Sequence, residues 1–264
     1  MTRLTAKAIY SKKKKEKITV LTAYDYPTAR ILDQAEIDVI LVGDSLGMVV
    51  LGYESTVGVT MREMLHHVKA VSRAVRRSLV VADMPFGSYE TPAKALRSAV
   101  RFLKEGGADA VKLEGGRRIE KQIRALLGAG IPVMGHLGMT PQSASSLGGY
   151  KVQGRTPKAA AKILKDALFL DKAGVFSFVL ECVPRALGRK ISSRVRCPVI
   201  GIGAGEGTDG QVLVLHDMLG ITSGVKPRFV RAYASLEKTI RRAAQDYRRD
   251  VLSGDYPRKE EIYE

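Results

Sequence analysis

Short unbroken apolar runs recur along the chain, each too short for a helix and rich in β-branched residues. They cover Ile18 to Leu21, Val39 to Val42, Leu79 to Ala82, Ala110 to Leu113, Val133 to Gly135, Phe178 to Leu180, Val199 to Ile202 and Val212 to Leu215. Between them, apolar residues fall at helical spacing over Pro27 to Ala35, Met61 to Val75, Pro92 to Gly106, Ile119 to Gly130, Pro157 to Ala173 and Arg185 to Val195. Thr91 before Pro92 and Thr156 before Pro157 read as N-caps with a first-turn proline, while Gly106-Gly107 and Gly174 read as helix stops. Continuous rather than alternating hydrophobicity means strands buried on both faces, the mark of a parallel sheet under helices. Eight βα units in 264 residues predict an α/β fold of the closed (β/α)8 TIM barrel type. It is expected as a single domain over residues 1–264, with a short basic N-terminal segment and a C-terminal helical tail. The competing reading is a dinucleotide loop at Gly201-Ile202-Gly203-Ala204-Gly205. That fingerprint belongs after the first strand of a βαβ unit, and this one follows the seventh run, where glycines make a tight turn or a phosphate site.

Composition narrows the class. Hydrophobic residues make up 45% and charged residues 27%, which suits a folded globular chain. No apolar run reaches the roughly 18 residues of a membrane span, and no apolar segment follows the N-terminal lysines as a leader would require. Cys182 and Cys197 offer neither a disulfide framework nor zinc spacing, so a cytoplasmic location and no membrane partner are expected. Lys and Arg total 43 against 27 Asp and Glu, a net charge of +16 that raises nucleic acid as a partner. The excess sits in Lys12 to Lys17, Arg73 to Arg77 and Arg228 through Arg249, none interleaved with aromatics, and there is no Trp on which bases could stack. The expectation is solvated surface and no nucleic acid partner, with a field that attracts a small anion.

In a parallel barrel, chemistry gathers where strands end. Run one ends in Thr22-Ala23-Tyr24-Asp25, run two in Gly43-Asp44-Ser45 and run three in Asp83; run four contains Lys112 and leads to Glu114, run five ends in His136 and run six in Glu181. Asp44, Asp83 and Glu114 supply hard oxygens and no thiolate, a donor set for Mg²⁺ rather than zinc; the bland alternative for each is helix capping. Lys112 and Glu114, two residues apart on a strand, share a face, taken as the barrel interior. The lysine would hold a substrate carboxylate or form a Schiff base. Glu181, between Leu180 and Cys182-Val183, has an apolar setting expected to raise its pKa into the range of a general base, with a capping or Arg185-pairing role as the alternative. His136, flanked by Gly135 and Gly138, is either an oxyanion donor or a structural imidazole. His66-His67 lies mid-helix, far from the strand ends, and reads as structural, whereas His216 ends run eight beside Asp217. Metal, lysine and an isolated carboxylate describe proton abstraction next to a carbonyl.

The motifs Thr22-Ala23-Tyr24-Asp25-Tyr26, Val42-Gly43-Asp44-Ser45-Leu46-Gly47-Met48, Ala82-Asp83-Met84-Pro85-Phe86, Val111-Lys112-Leu113-Glu114-Gly115-Gly116, Gly135-His136-Leu137-Gly138-Met139-Thr140-Pro141-Gln142-Ser143 and Val179-Leu180-Glu181-Cys182-Val183-Pro184 resemble the ketopantoate hydroxymethyltransferase family. The resemblance runs from about residue 5 to 258. It implies a Mg²⁺-dependent barrel that transfers a one-carbon unit from 5,10-methylenetetrahydrofolate to 3-methyl-2-oxobutanoate, giving ketopantoate on the way to pantothenate and coenzyme A. It also implies Asp44, Asp83 and Glu114 on the metal, and Asp44, Ser45, Asp83, Lys112 and His136 at the keto acid. Glu181 would take the proton, and the assembly would be a homo-oligomer, in the family often a decamer. Val57-Gly58-Val59 and Phe86-Gly87-Ser88 depart from the usual pattern, which bears on loop shape and folate contacts. Rival readings are a Mg²⁺-dependent lyase or mutase related to isocitrate lyase, and an inactive polyanion-binding barrel.

Overall fold

Strands that are apolar on both faces need cover on both, and this chain supplies it by closing its sheet on itself and laying helices outside. The structure, a computed structural model, describes residues 3–146, 148–222 and 227–263. The eight strands are β1 (Ile18–Thr22), β2 (Val39–Val42), β3 (Leu79–Asp83), β4 (Ala110–Glu114), β5 (Val133–Gly138), β6 (Ser177–Glu181), β7 (Val199–Ile202) and β8 (Gly210–Leu213). Each pairs in parallel with its neighbour in sequence, and β8 pairs with β1 to close the barrel.

Register explains where the polar residues go. Val81, Ala110, Met134 and Val179 pack in one buried cluster in the interior. Two residues further along the same strands stand Asp83, Lys112, His136 and Glu181, and side chains of period two share a face. Asp83 lies opposite Lys112 and Glu114 opposite His136 in the ladder. The interior is therefore apolar through its middle and ionisable at the carboxyl ends. β3, β4 and β6 run one residue past their apolar stretches to take in Asp83, Glu114 and Glu181, and β5 extends three residues to Gly138.

The largest departure is β8. The apolar run over Val212 to Leu215 predicts the strand there, yet pairing begins at Gly210, and Leu215 already opens a short helix, Leu215–Leu219. Polar Gln211 conceals the strand's start; its amide donates to the Gly205 carbonyl and to Thr208. The glycine motif begins inside β7, and Gly203 and Gly205 take positive φ, 62° and 81°, where the chain turns toward β8. The capping threonines behave as read: Thr91 accepts from the Lys94 N–H and Thr156 from the Ala159 N–H. Gly174 ends its helix in the left-handed region at φ +96°.

A helix without a sequence expectation, Ala6–Ser11, closes the amino-terminal end of the barrel. Thr5 caps it, and Ile9, fully buried, joins the interior cluster. This alters the reading of the first lysine cluster as solvated surface. Lys13 donates to Asp209 at 2.5 Å and to the Ser192 carbonyl at 2.8 Å, and Lys12 to Asp38 at 2.9 Å. Lys17 donates to the Glu206 carbonyl at 3.1 Å and to the Thr208 carbonyl, so three of these lysines are internal ties, leaving Lys14 and Lys15 to solvent.

The chain divides into two compact units, Met1–Val214 with all eight strands and Leu215–Glu264. The second contains the helix Leu236–Ser253, which is the expected helical tail, ended by Gly254 at φ +78°. Among the described residues no helix is long and apolar enough to cross a membrane.

Candidate active site

The strand ends deliver one buried cluster. Lys112 donates to both oxygens of Asp83, at 2.7 and 2.6 Å, and stands 3.9 Å from Glu114. Asp83 in turn accepts the Asp44 backbone N–H at 3.3 Å. His136 is sandwiched, Nδ1 lying 3.3 Å from Glu114 and Nε2 3.2 Å from Glu181. These are ion-pair distances without good hydrogen-bond direction, so both ring nitrogens and Glu114 Oε1 have no well-formed hydrogen bond. Ser45 joins through Tyr24, hydroxyl to hydroxyl at 2.8 Å. A Cβ on Gly43 would stand 2.9 Å from Ser45 Oγ and 3.9 Å from Asp83, which places the serine at the same mouth. All seven expected residues, Asp44, Ser45, Asp83, Lys112, Glu114, His136 and Glu181, thus meet on one rim. Asp25 leaves it: its carboxylate accepts the Thr28 N–H at 2.8 Å as an N-cap.

Burial sets the electrostatics. The Asp44 carboxyl is pushed well above its ordinary range by burial, then by Asp83 and Glu114, with Lys112 and Gln142 opposing. Burial works against the Lys112 ammonium, yet Asp83, Glu114 and Asp44 outweigh it and hold the proton above the usual range. Burial and Lys112 also oppose the His136 proton, but Glu114 and Glu181 win and raise it to about 9, so the ring is an imidazolium at neutral pH. Burial alone would raise Glu114; the imidazolium beside it holds it below its ordinary value. The setting of Glu181 is therefore ionic as well as apolar, and Arg185 does not take it, pairing instead with Glu206.

Backbone geometry aims Glu181. Gly138, at φ +91°, passes so close that an added Cβ would meet the Glu181 carbonyl at 2.1 Å, a position closed to any other residue. Cys182 takes φ +48°, rare for a residue with a side chain, pinned by its N–H to Ile202 and by the Gln153 N–H to its carbonyl. Its thiol is pushed up to about 12 by burial and then by Glu181, which argues against a reactive-cysteine lyase.

Two participants escape the sequence reading. Gln142 donates through its side chain to Asp44 at 2.9 Å and to the Met84 carbonyl, and through its backbone N–H to Glu114 at 3.0 Å. The Tyr89 hydroxyl donates to the Gln142 oxygen. The only available signal is the place of Gln142 six residues after His136, just beyond the end of β5. His67 is structural as expected but not remote: its Nδ1 meets the Tyr24 carbonyl at 2.6 Å, just beyond β1. His216 lies in the short helix of the second unit.

Among the described residues no three His, Cys, Asp or Glu side chains close on a point as a full metal cage. The donor set nonetheless fits a hard cation held by few protein ligands. Asp44 and Asp83 adjoin, their mutual repulsion raises Asp44, and Mg²⁺ typically takes one or two carboxylates and completes its shell with water and substrate oxygens. Glu114, engaged by Gln142 and His136, stands behind that pair.

A closed parallel barrel with carboxylates, an ammonium and an imidazolium at its carboxyl-end mouth defines a (β/α)8-barrel enzyme. The solved structure of 2,3-dimethylmalate lyase, itself a PEP mutase/isocitrate lyase superfamily member, superposes with a TM-score of 0.60 at 15% identity, covering 98% of this chain and 92% of that one, a likeness of fold. The ketopantoate hydroxymethyltransferase sequence model matches residues 3–259. The 3-methyl-2-oxobutanoate hydroxymethyltransferases of Heliobacterium modesticaldum and Acetivibrio thermocellus are 55% and 56% identical, each over 96% of this chain and over 92% and 90% of their own lengths. The chain belongs to the ketopantoate hydroxymethyltransferase family and is a transferase.

Proposed function

We propose that this enzyme transfers a one-carbon unit from 5,10-methylenetetrahydrofolate to 3-methyl-2-oxobutanoate, through an enolate generated by Glu181. The observation that carries the assignment of the base is exposure. The Glu181 side chain is 16% exposed, against 2% for Asp83 and 1% for Glu114, so of these carboxylates it is the one open to an entering proton donor. Asp44 and Asp83 would hold Mg²⁺, which when bound supplies Lewis-acid polarisation of the keto oxygen, worth several kcal/mol of the barrier. Lys112, locked on Asp83, offsets the negative charge gathered where the keto acid's carboxylate must sit. Ser45, oriented by Tyr24, offers a hydroxyl to the same substrate. The His136 imidazolium lies against Glu181, positions the carboxylate that accepts the C3 proton, and holds a positive charge beside the enolate as it forms. Assembly into a homo-oligomer belongs to the same proposal.

Glu181→Gln should lower Mg²⁺-dependent exchange of the C3 proton for deuterium by about 10²- to 10⁴-fold, the usual contribution of a positioned base. Exchange at the wild-type rate would refute the assignment. A turnover assay with keto acid and methylenetetrahydrofolate, run with and without chelator, tests donor and metal together.

A further inference from the structure

Beside the acidic mouth lies a second space, a pocket of about 520 Å³, within the roughly 300–1,000 Å³ that suits an organic ligand. His136 lines it, which joins it to the proposed base; both nitrogens of that ring lack a well-formed hydrogen bond and the residue is 3% exposed. Leu137 and Ile163 add apolar wall. Arg117 and Arg118 enter directly after β4, and Lys162 and Lys165 stand one turn apart on the helix Pro157–Ala173. The one carboxylate among them, Asp166, is already used: it accepts the Arg117 backbone N–H at 3.0 Å, in a turn where a Cβ on Gly116 would collide with it at 2.5 Å. Lys162 approaches Asp166 only at 3.4 Å with its side chain 82% exposed. Among the described residues no carboxylate pairs with the side chains of Arg117, Arg118 or Lys165, and Arg118 leans on Ser143 instead. Four cations around an apolar-walled cavity, three of them without a counter-ion among the described residues and the fourth sharing an aspartate already engaged elsewhere, call for an elongated ligand with a flat body and an anionic tail.

We infer that this pocket receives the folate co-substrate, the carboxylates of its glutamyl tail on Arg117, Lys162 and Lys165 and its ring end toward His136 and Glu181. The inference rests on methylenetetrahydrofolate being the donor. It requires that added glutamyl residues tighten binding and that the gain reside in these cations. The test compares the monoglutamate and pentaglutamate forms of the donor in wild type and in the double variant Arg117→Ala/Lys165→Ala, both positions exposed. KM should be about tenfold lower for the pentaglutamate in wild type, and that tail-length advantage should vanish in the variant. Equilibrium binding of tetrahydrofolate pentaglutamate without keto acid should weaken in parallel, and a thermal melt confirms that the variant is folded. A tail-length advantage retained by the double variant, or absent from wild type, overturns the inference while leaving the donor intact. If wild type exchanges the C3 proton yet takes no one-carbon unit from either form, the donor assignment itself falls, and the inference with it.

Discussion

Gln142 carries no charge, yet two acidic residues of the mouth are arranged around it. Its amide steadies Asp44 while its backbone N–H steadies Glu114, so the two carboxylates keep their separation although both are buried. Gln142→Ala keeps the backbone bond and loses the side-chain ones. Melting should show a loss of about 1–3 kcal/mol from the unsatisfied partners, and turnover should fall at least about tenfold. Gly138→Ala should be worse, because both its left-handed φ and the approach to the Glu181 carbonyl forbid a side chain. A drop of roughly 3 kcal/mol or more in stability, with loss of C3 exchange, is expected from melting and isotope exchange. The charged members of the site were legible because each stands at or within two residues of the end of an apolar run, and a parallel barrel turns such ends toward one mouth. Gln142 and Tyr89 were not, because they lie in loops where no periodicity fixes a side chain's direction and an amide gives no charge signal.

Among elements, the ties between helices and strand starts hold the barrel's base. Asp33, in the last turn of the helix Tyr26–Gln34, accepts backbone N–H groups from Arg76, Arg77 and Ser78 just ahead of β3, the first and last at 2.8 and 2.7 Å. Burial pushes its carboxyl up, but these donors outweigh it and hold the pKa below the ordinary 3.8. Its stabilising contribution is therefore present above about that value and fades as the pH falls through the lowered folded one. Asp33→Asn should cost about 1.5–3 kcal/mol at pH 7 in denaturant titrations, and the gap to wild type should narrow below pH 4. Ile9→Ala, which hollows the plug at the closed end, should cost about 2–5 kcal/mol by the same measurement. Strands and capped helices were readable from runs, threonine-proline pairs and glycine stops. The helix Ala6–Ser11 was not, since six residues are too few to display a period, and β8 was displaced because polar Gln211 sits inside it.

At the scale of the whole molecule, the net charge of +16 falls into two physical kinds. Some lysines are spent on internal pairs, as Lys12 and Lys13 show, while beside the mouth Arg117, Arg118 and Lys165 pair with no carboxylate among the described residues. If the second kind gathers the anionic donor, raising salt from about 50 to 300 mM, which shortens the screening length below about 10 Å, should raise the donor's KM several-fold and the keto acid's less, as read from steady-state kinetics. Composition alone could not separate these kinds, because it records charge without recording who faces whom. The closed end of the barrel carries one more implication. Lys12 reaches Asp38 while Lys13 is fastened to Ser192 and Asp209, so the helix Ala6–Ser11 gains one tie early in synthesis and the other only once the segment carrying Asp209 has been made. Chains that stop short of Asp209 lack that second anchor for the floor of their own barrel.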